Sequence, residues 1–187
     1  MVLGLGALLT LSCSRPAGET KIAAETDAPP VEETPDAPGP LVSVPGVFSY
    51  QAPWGWKQVV SSNGYPQAAG PQAHQYVPDI TFTTHGFQSV DQFVKNYAPS
   101  LLDMDTAFPL RLVDQKVFET DKGVRGVRLH SIDVATLPAA EQFSYVFQNT
   151  SGLVVEFACA CAPADAAQDA PLFDSAMKTM IFLNPGT

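Results

Sequence analysis

EQFSYVFQNTSGLVVEFACAC, Glu141 to Cys161, sets two runs of apolar, aromatic and β-branched residues on either side of Asn149-Thr150-Ser151-Gly152. Each run, EQFSYVFQ and LVVEFACAC, has the length and composition of a strand, and the connection is turn chemistry, so the stretch reads as a β-hairpin. A second pair precedes it. PLRLVDQKVFET (Pro109–Thr120) and GVRGVRLHSIDV (Gly123–Val134) are joined through Asp121-Lys122-Gly123, a short hairpin connection. Strands linked by hairpins belong to an antiparallel sheet.

Working towards the amino terminus, DITFTTH (Asp79–His85) alternates cleanly and reads as a strand. GVFSYQAPWGW (Gly46–Trp56) is a weaker strand ended by Pro53, and WKQVV (Trp56–Val60) is another. SSNGYPQAAGPQ reads as a loop around an Asn63-Gly64 turn. Between strands, the period changes in SVDQFVKNYA, which puts Val90, Phe93, Val94 and Tyr97 on one helical face. Ser89 and Gln92 have capping-box spacing, and Pro99 is expected to stop the helix. APLFDSAMKTM puts Leu172, Phe173, Ala176, Met177 and Met180 on one face of a second helix, and MIFL closes the chain as a short strand. The expected fold is α+β: an antiparallel sheet of about six to seven strands flanked by helices.

Composition narrows the function. Of 187 residues, 19 are Asp or Glu and 10 are Lys or Arg. That acidic balance argues against nucleic acid, which needs a basic face, and against a polybasic grip on anionic lipid. The amino terminus offers another route to a membrane. Val2–Leu11 is an apolar run of signal-peptide length, shorter than the roughly 20 residues that span a bilayer. Thr10-Leu11-Ser12-Cys13 resembles the lipobox of bacterial lipoproteins, with small Ser12 before the cysteine. It departs from the pattern in having Thr10 three before it and no basic n-region. SRPAGETKIAAETDAPPVEETPDAPGP (Ser14–Pro40) then carries almost no large apolar side chain and cannot bury enough surface to offset its ordering entropy. The expected organisation is a signal peptide over 1–12, a tether over 13–43 with Cys13 lipidated, and a folded domain over 44–187.

The order of elements, together with FSYQAPWGW, the SVDQFVKNY helix, LVVEFACACAPAD and Leu172-Phe173-Asp174 before MKTMIFL, resembles PsbP-like domains. FSYQAPWGW carries the spacing of their f-x-x-x-x-P-x-x-W opening. The resemblance covers about Phe48 to Leu183, and its motifs are framework residues. That superfamily includes a photosystem II extrinsic protein, a yeast Ran-binding factor and bacterial envelope lipoproteins of the DcrB type, and the lipobox favours the last branch. The resemblance implies helical layers on both sides of the sheet and a binding or assembly role without catalysis. It carries over no binding residues.

The chain offers few constellations for chemistry. His74, His85 and His130 are isolated in sequence, without an H-x-x-x-H or H-E-x-x-H partner. His85 follows one strand and His130 lies in another, so a site shared between them stands beside the reading of surface or core histidines. Cys159 and Cys161, at i and i+2 of a strand, have Cβ atoms about 7 Å apart, against about 4 Å for a disulfide. Two small buried apolar residues is the simpler account of them. Asp103-Met104-Asp105 lacks the spacing of a calcium loop. Asn149-Thr150-Ser151 matches a glycosylation acceptor but reads here as a turn, and no serine sits in a G-x-S-x-G elbow. Trp54 and Trp56, at strand spacing, are expected on one side.

The expected function is a lipid-anchored, non-enzymatic binding or accessory domain of a bacterial cell envelope. Its partner would be an envelope protein or complex, and no cofactor or metal is assigned. The alternative is a small-ligand or metal-binding envelope protein using His85 and His130 with nearby carboxylates.

Overall fold

The computed structural model describes residues 38–72, 77–102, 110–133 and 140–183. Their elements are β1 (Leu41–Val44), β2 (Phe48–Gln51), β3 (Lys57–Val60), β4 (Pro66–Ala69), β5 (Asp79–His85), α1 (Val90–Leu102), β6 (Leu110–Glu119), β7 (Arg125–Asp133), β8 (Ala140–Gln148), β9 (Val154–Cys161), α2 (Ala166–Lys178) and β10 (Ile181–Phe182). Seven strands form one antiparallel sheet in the order β3-β4-β5-β9-β8-β7-β6, and β1-β2-β10 form a second. The Glu141–Cys161 hairpin lies at the centre of the large sheet, with Phe143 opposite Cys159 and Tyr145 opposite Phe157.

Alternation along the central strands divides the interior into two layers. Phe143, Tyr145 and Phe147 of β8 share one face with Val155, Phe157, Cys159 and Cys161 of β9. That face is covered by Phe173, Ala176 and Met177 of α2 and by Val42, Phe48 and Tyr50 of the small sheet. Phe48 meets the Phe157 ring edge-on at 4.7 Å and the Phe82 ring at 4.8 Å. Each such buried aromatic is worth about 2–3 kcal/mol of transfer free energy. On the opposite face, Phe93 of α1 packs on Leu129, Val146 and Val154, with Val90 and Val94 beside it. The sheet is therefore clad by α1 on one side and by α2 with the small sheet on the other. This is the α+β arrangement expected from the sequence.

One glycine is required by close approach. A Cβ on Gly126 of β7 would collide with the Val146 carbonyl and meet the Phe147 ring at 2.6 Å. Its absence lets the Phe147 ring pack directly against the strand.

The capping box forms, with one change. The Ser89 hydroxyl accepts from Gln92 N at 3.1 Å, while Gln92 Oε1 reaches back to Gln88 N at 2.6 Å, one residue earlier than the standard box. Several local expectations need correction. Helix α1 continues through Pro99 to Leu102, because a proline near the carboxyl end removes a single backbone bond. Helix α2 begins at Ala166, four residues before the apolar stretch, and holds Pro171 inside it. Leu172 is half-exposed and does not join Phe173, Ala176 and Met177. The expected loop after Ser61 contains β4, whose first residue is Pro66, a position where a strand needs no N–H. Strand β1 starts at Leu41, three residues ahead of the expected domain boundary. Trp54 and Trp56 do not act as a strand pair. Gly55 turns the chain at φ 76°, burying Trp56 against Phe173 and leaving Trp54 42 % exposed.

Candidate functional site

The two described histidines do not converge. His85 closes β5 opposite Val154, on the α1 face of the sheet. His130 lies on β7 opposite Phe143, on the α2 face. Residue parity within each strand puts them on opposite sides of a sheet, so no ion or substrate can bridge them. The shared His85–His130 metal site is thereby ruled out. Among the described residues no three His, Cys, Asp or Glu side chains cluster to hold a metal. Cys13, His74 and Asp103-Met104-Asp105 lie outside the described residues.

Each histidine instead has its own carboxylate. His85 Nε2 lies 2.8 Å from Glu156 Oε2, under the rings of Phe87 and Phe93. Glu156 is buried, and its other oxygen makes no hydrogen bond. His130 Nε2 lies 2.6 Å from Glu141 Oε2, and the imidazole stacks on Phe143 at 4.4 Å. Each pair bridges two neighbouring strands, β5 to β9 for His85–Glu156 and β7 to β8 for His130–Glu141, which suits holding those strands together.

A polar network flanks the second pair. Arg128, buried on β7, lies 3.2 Å from Asp174 Oδ1 of α2 and sets its guanidinium 4.6 Å over the Phe143 ring. The contact is an ion pair and not an aligned hydrogen bond, since Arg128 Nε has no acceptor in line. The Tyr145 hydroxyl donates to Asp174 Oδ1 at 2.6 Å, and Lys116 Nζ of β6 stands 3.6 Å from Oδ2. Burial raises the Tyr145 phenol far above its ordinary value, with nearby Cys159 and Asp174 adding to the shift, so it acts as a fixed donor. This network ties α2 to β6, β7 and β8. Sequence inspection missed it because its members lie up to 58 positions apart, from Lys116 to Asp174.

Cys159 and Cys161 are free, buried thiols on the α2 face. Burial pushes Cys161 up to about 12 and Cys159 well above its ordinary value, so both stay protonated at neutral pH. They behave as small core residues, as their neighbours Ala158 and Ala160 suggest. Asp79 at the start of β5 is raised by burial to about 6.

A cleft of about 540 Å³ opens at the hairpin end of the sheet. Val124, Ile181 and Phe182 supply its apolar wall, while Lys122, Arg125 and Thr150 supply polar groups. Arg125 is paired with Glu119 at 2.7 Å. A smaller cleft of about 300 Å³ lies between Val44, Val47, Tyr65, Phe82 and Leu153.

The architecture, an antiparallel sheet clad by one helix on each face and by a small three-stranded sheet, is the PsbP-like fold. Solved structures of this kind superimpose on the chain over most of its length. Cyanobacterial PsbP (CyanoP) from Synechocystis matches with a TM-score of 0.50 and 11 % identity, over 73 % of this chain and 87 % of its own. LpqN of Mycobacterium tuberculosis, described as involved in cell envelope biogenesis, matches with a TM-score of 0.55 and 12 % identity, over 77 % and 90 %. The Saccharomyces cerevisiae Ran-binding protein Mog1p matches with a TM-score of 0.50 and 8 % identity, over 78 % and 97 %. At such identities the likeness is one of fold. No protein-family profile matches the chain, and no curated protein matches it by sequence.

Proposed function

We propose that this protein is a lipid-anchored, non-enzymatic binding or accessory domain of a bacterial cell envelope, of the kind represented by the lipoprotein branch of PsbP-like proteins. One observation carries the reading. A fold also found in an envelope-biogenesis protein and a Ran-binding protein is joined here to a lipobox-like Thr10–Cys13 and a proline- and acid-rich segment. Acyl groups on Cys13 would hold the chain at a membrane, where two chains anchor firmly and one does so marginally. The segment to residue 43 would let the domain reach an envelope partner away from the bilayer. Among the described residues no helix is long and apolar enough to cross a membrane.

The test is mass spectrometry of the mature amino terminus, combined with membrane fractionation of wild-type and Cys13→Ala protein. An acylated terminus at Cys13, with the Cys13→Ala protein leaving the membrane fraction, supports the reading. An unmodified terminus at Met1 overturns it. Crosslinking in intact cells would then identify the partner.

A second reading, small-ligand binding, is favoured by the 540 Å³ cleft, whose apolar wall and Lys122–Arg125 rim suit an amphipathic anion. Charge removal by Lys122→Ala would weaken that binding without changing the fold.

A further inference from the structure

Strand β6 ends the large sheet, with β7 on one side and no strand on the other among the described residues. It is ten residues long, and most of it faces solvent. Val117 is 78 % exposed and Val113 51 %. A long edge strand carrying exposed valines is a template for further pairing unless something blocks it. A bulge at Val113 and the charge of Lys116 are the kinds of feature that discourage indiscriminate partners.

Antiparallel pairing of β6 with itself offsets the lysine charge in one register. With Gln115 on a two-fold axis normal to the sheet, Asp114 falls opposite the partner's Lys116, and Lys116 opposite the partner's Asp114. Val113 falls opposite the partner's Val117, so the exposed valines cover one another. Each match occurs twice by symmetry. Asp114 and Lys116 point to the same face of the strand, being two residues apart, and directly opposed residues share a face in an antiparallel pair. The lysine that repels a generic strand is therefore neutralised by a second copy of this one. Lys116 is half-exposed at 3.6 Å from Asp174, a loose contact that leaves it able to reach a new carboxylate.

We infer that the β6 edge is a self-association surface, on which a second copy of this chain pairs antiparallel about Gln115 to make one sheet continuous across both copies. The occupant is specified by charge complementarity: in this register each copy's Asp114 faces the other copy's Lys116. The inference does not depend on the lipid anchor.

The experiment follows the full-length chain by sedimentation velocity over a dilution series, for the parent, D114K, K116D and the double variant D114K/K116D. A reversible dimer is expected. Each single reversal should weaken it about tenfold, because two attractive cross-strand pairs become repulsive, and the double swap should restore it. Gln115→Cys supplies an independent measurement, since oxidation should link two copies through position 115. Peptide mass spectrometry would identify that link, with the parent chain as the reference for its native cysteines. Circular dichroism checks folding, and if a charge variant does not fold, the position-115 link decides. A monomer at every concentration overturns the inference. So does a dimer indifferent to both reversals that forms no link at position 115.

Discussion

Removing the Asp174 carboxylate should destabilise the domain more than removing the arginine it faces. Asp174 accepts from the buried Tyr145 phenol at 2.6 Å and stands as the counter-charge of the buried Arg128 guanidinium at 3.2 Å. In Asp174→Ala, the Tyr145 hydroxyl loses an acceptor inside the core, which costs about 1.5–3 kcal/mol for a bond to a charged group. Arg128 is left as a buried cation without its counter-charge. Breaking a buried pair in this way costs about 3–5 kcal/mol when the site is dry. Asp174 is itself about a third exposed, so water replaces part of what is lost, and the expected total is about 3 kcal/mol. Arg128→Met behaves differently. It withdraws the cation and keeps apolar volume against Phe143, while Asp174 retains the Tyr145 donor and Lys116. The expected cost is about 1 kcal/mol or less. The double variant should be more stable than Asp174→Ala alone, by about 1 kcal/mol. Urea denaturation reads this directly. With a slope of about 2 kcal/mol per molar for a domain of this size, Asp174→Ala shifts the midpoint by about 1.5 M. An Asp174→Ala cost below about 0.5 kcal/mol, or strict additivity of the pair, would refute the argument that the network is mutually dependent.

Three further outcomes follow from the same geometry. Burial raises Asp79 from 3.8 to about 6, so its folded form binds a proton more tightly than the unfolded chain. The benefit is full below the unfolded value and disappears as pH rises through about 6. Asp79→Asn should therefore stabilise by about 1–2 kcal/mol at pH 7.5 and lose that gain by pH 4, as chemical denaturation at the two pH values would show. Cys159 and Cys161, protonated and buried, should resist iodoacetamide in the folded protein and react fully in denaturant. Peptide mass spectrometry distinguishes the sites, and native labelling at either would contradict the packing described. Gly126→Ala should cost about 1–3 kcal/mol by forcing Phe147 and the Val146 carbonyl apart, seen as a lower thermal midpoint.

Local chemistry made much of this fold readable. The T-F-T alternation of Asp79–His85 matches β5 end to end, and the Ser89–Gln92 spacing marks the start of α1 at Val90. Both hairpin connections form turns closed by left-handed glycines, Gly123 and Gly152. The errors arose where a local signal was overruled by tertiary contacts. PQAA has weak strand character, yet β4 exists because β3 and β5 pair with it on both sides. Pro99 and Pro171 are helix breakers whose missing bonds are tolerated in helices held by packing. Trp54 and Trp56 were separated by a glycine dihedral that composition cannot specify.

The sequence by itself determined the α+β class, the antiparallel hairpins, the aromatic core and the acidic charge balance, since each follows from periodicity, turn chemistry or composition. Only the tertiary structure decided which candidate groups meet. His85 and His130 fell on opposite faces because a strand's residue parity becomes a spatial direction only when register with its neighbours is set. The same register brought Arg128, Tyr145 and Asp174 together from two strands and a helix. It also left Asp114, Lys116 and two valines along an open edge. Such juxtapositions depend on contacts distant in the chain, and no local pattern encodes them.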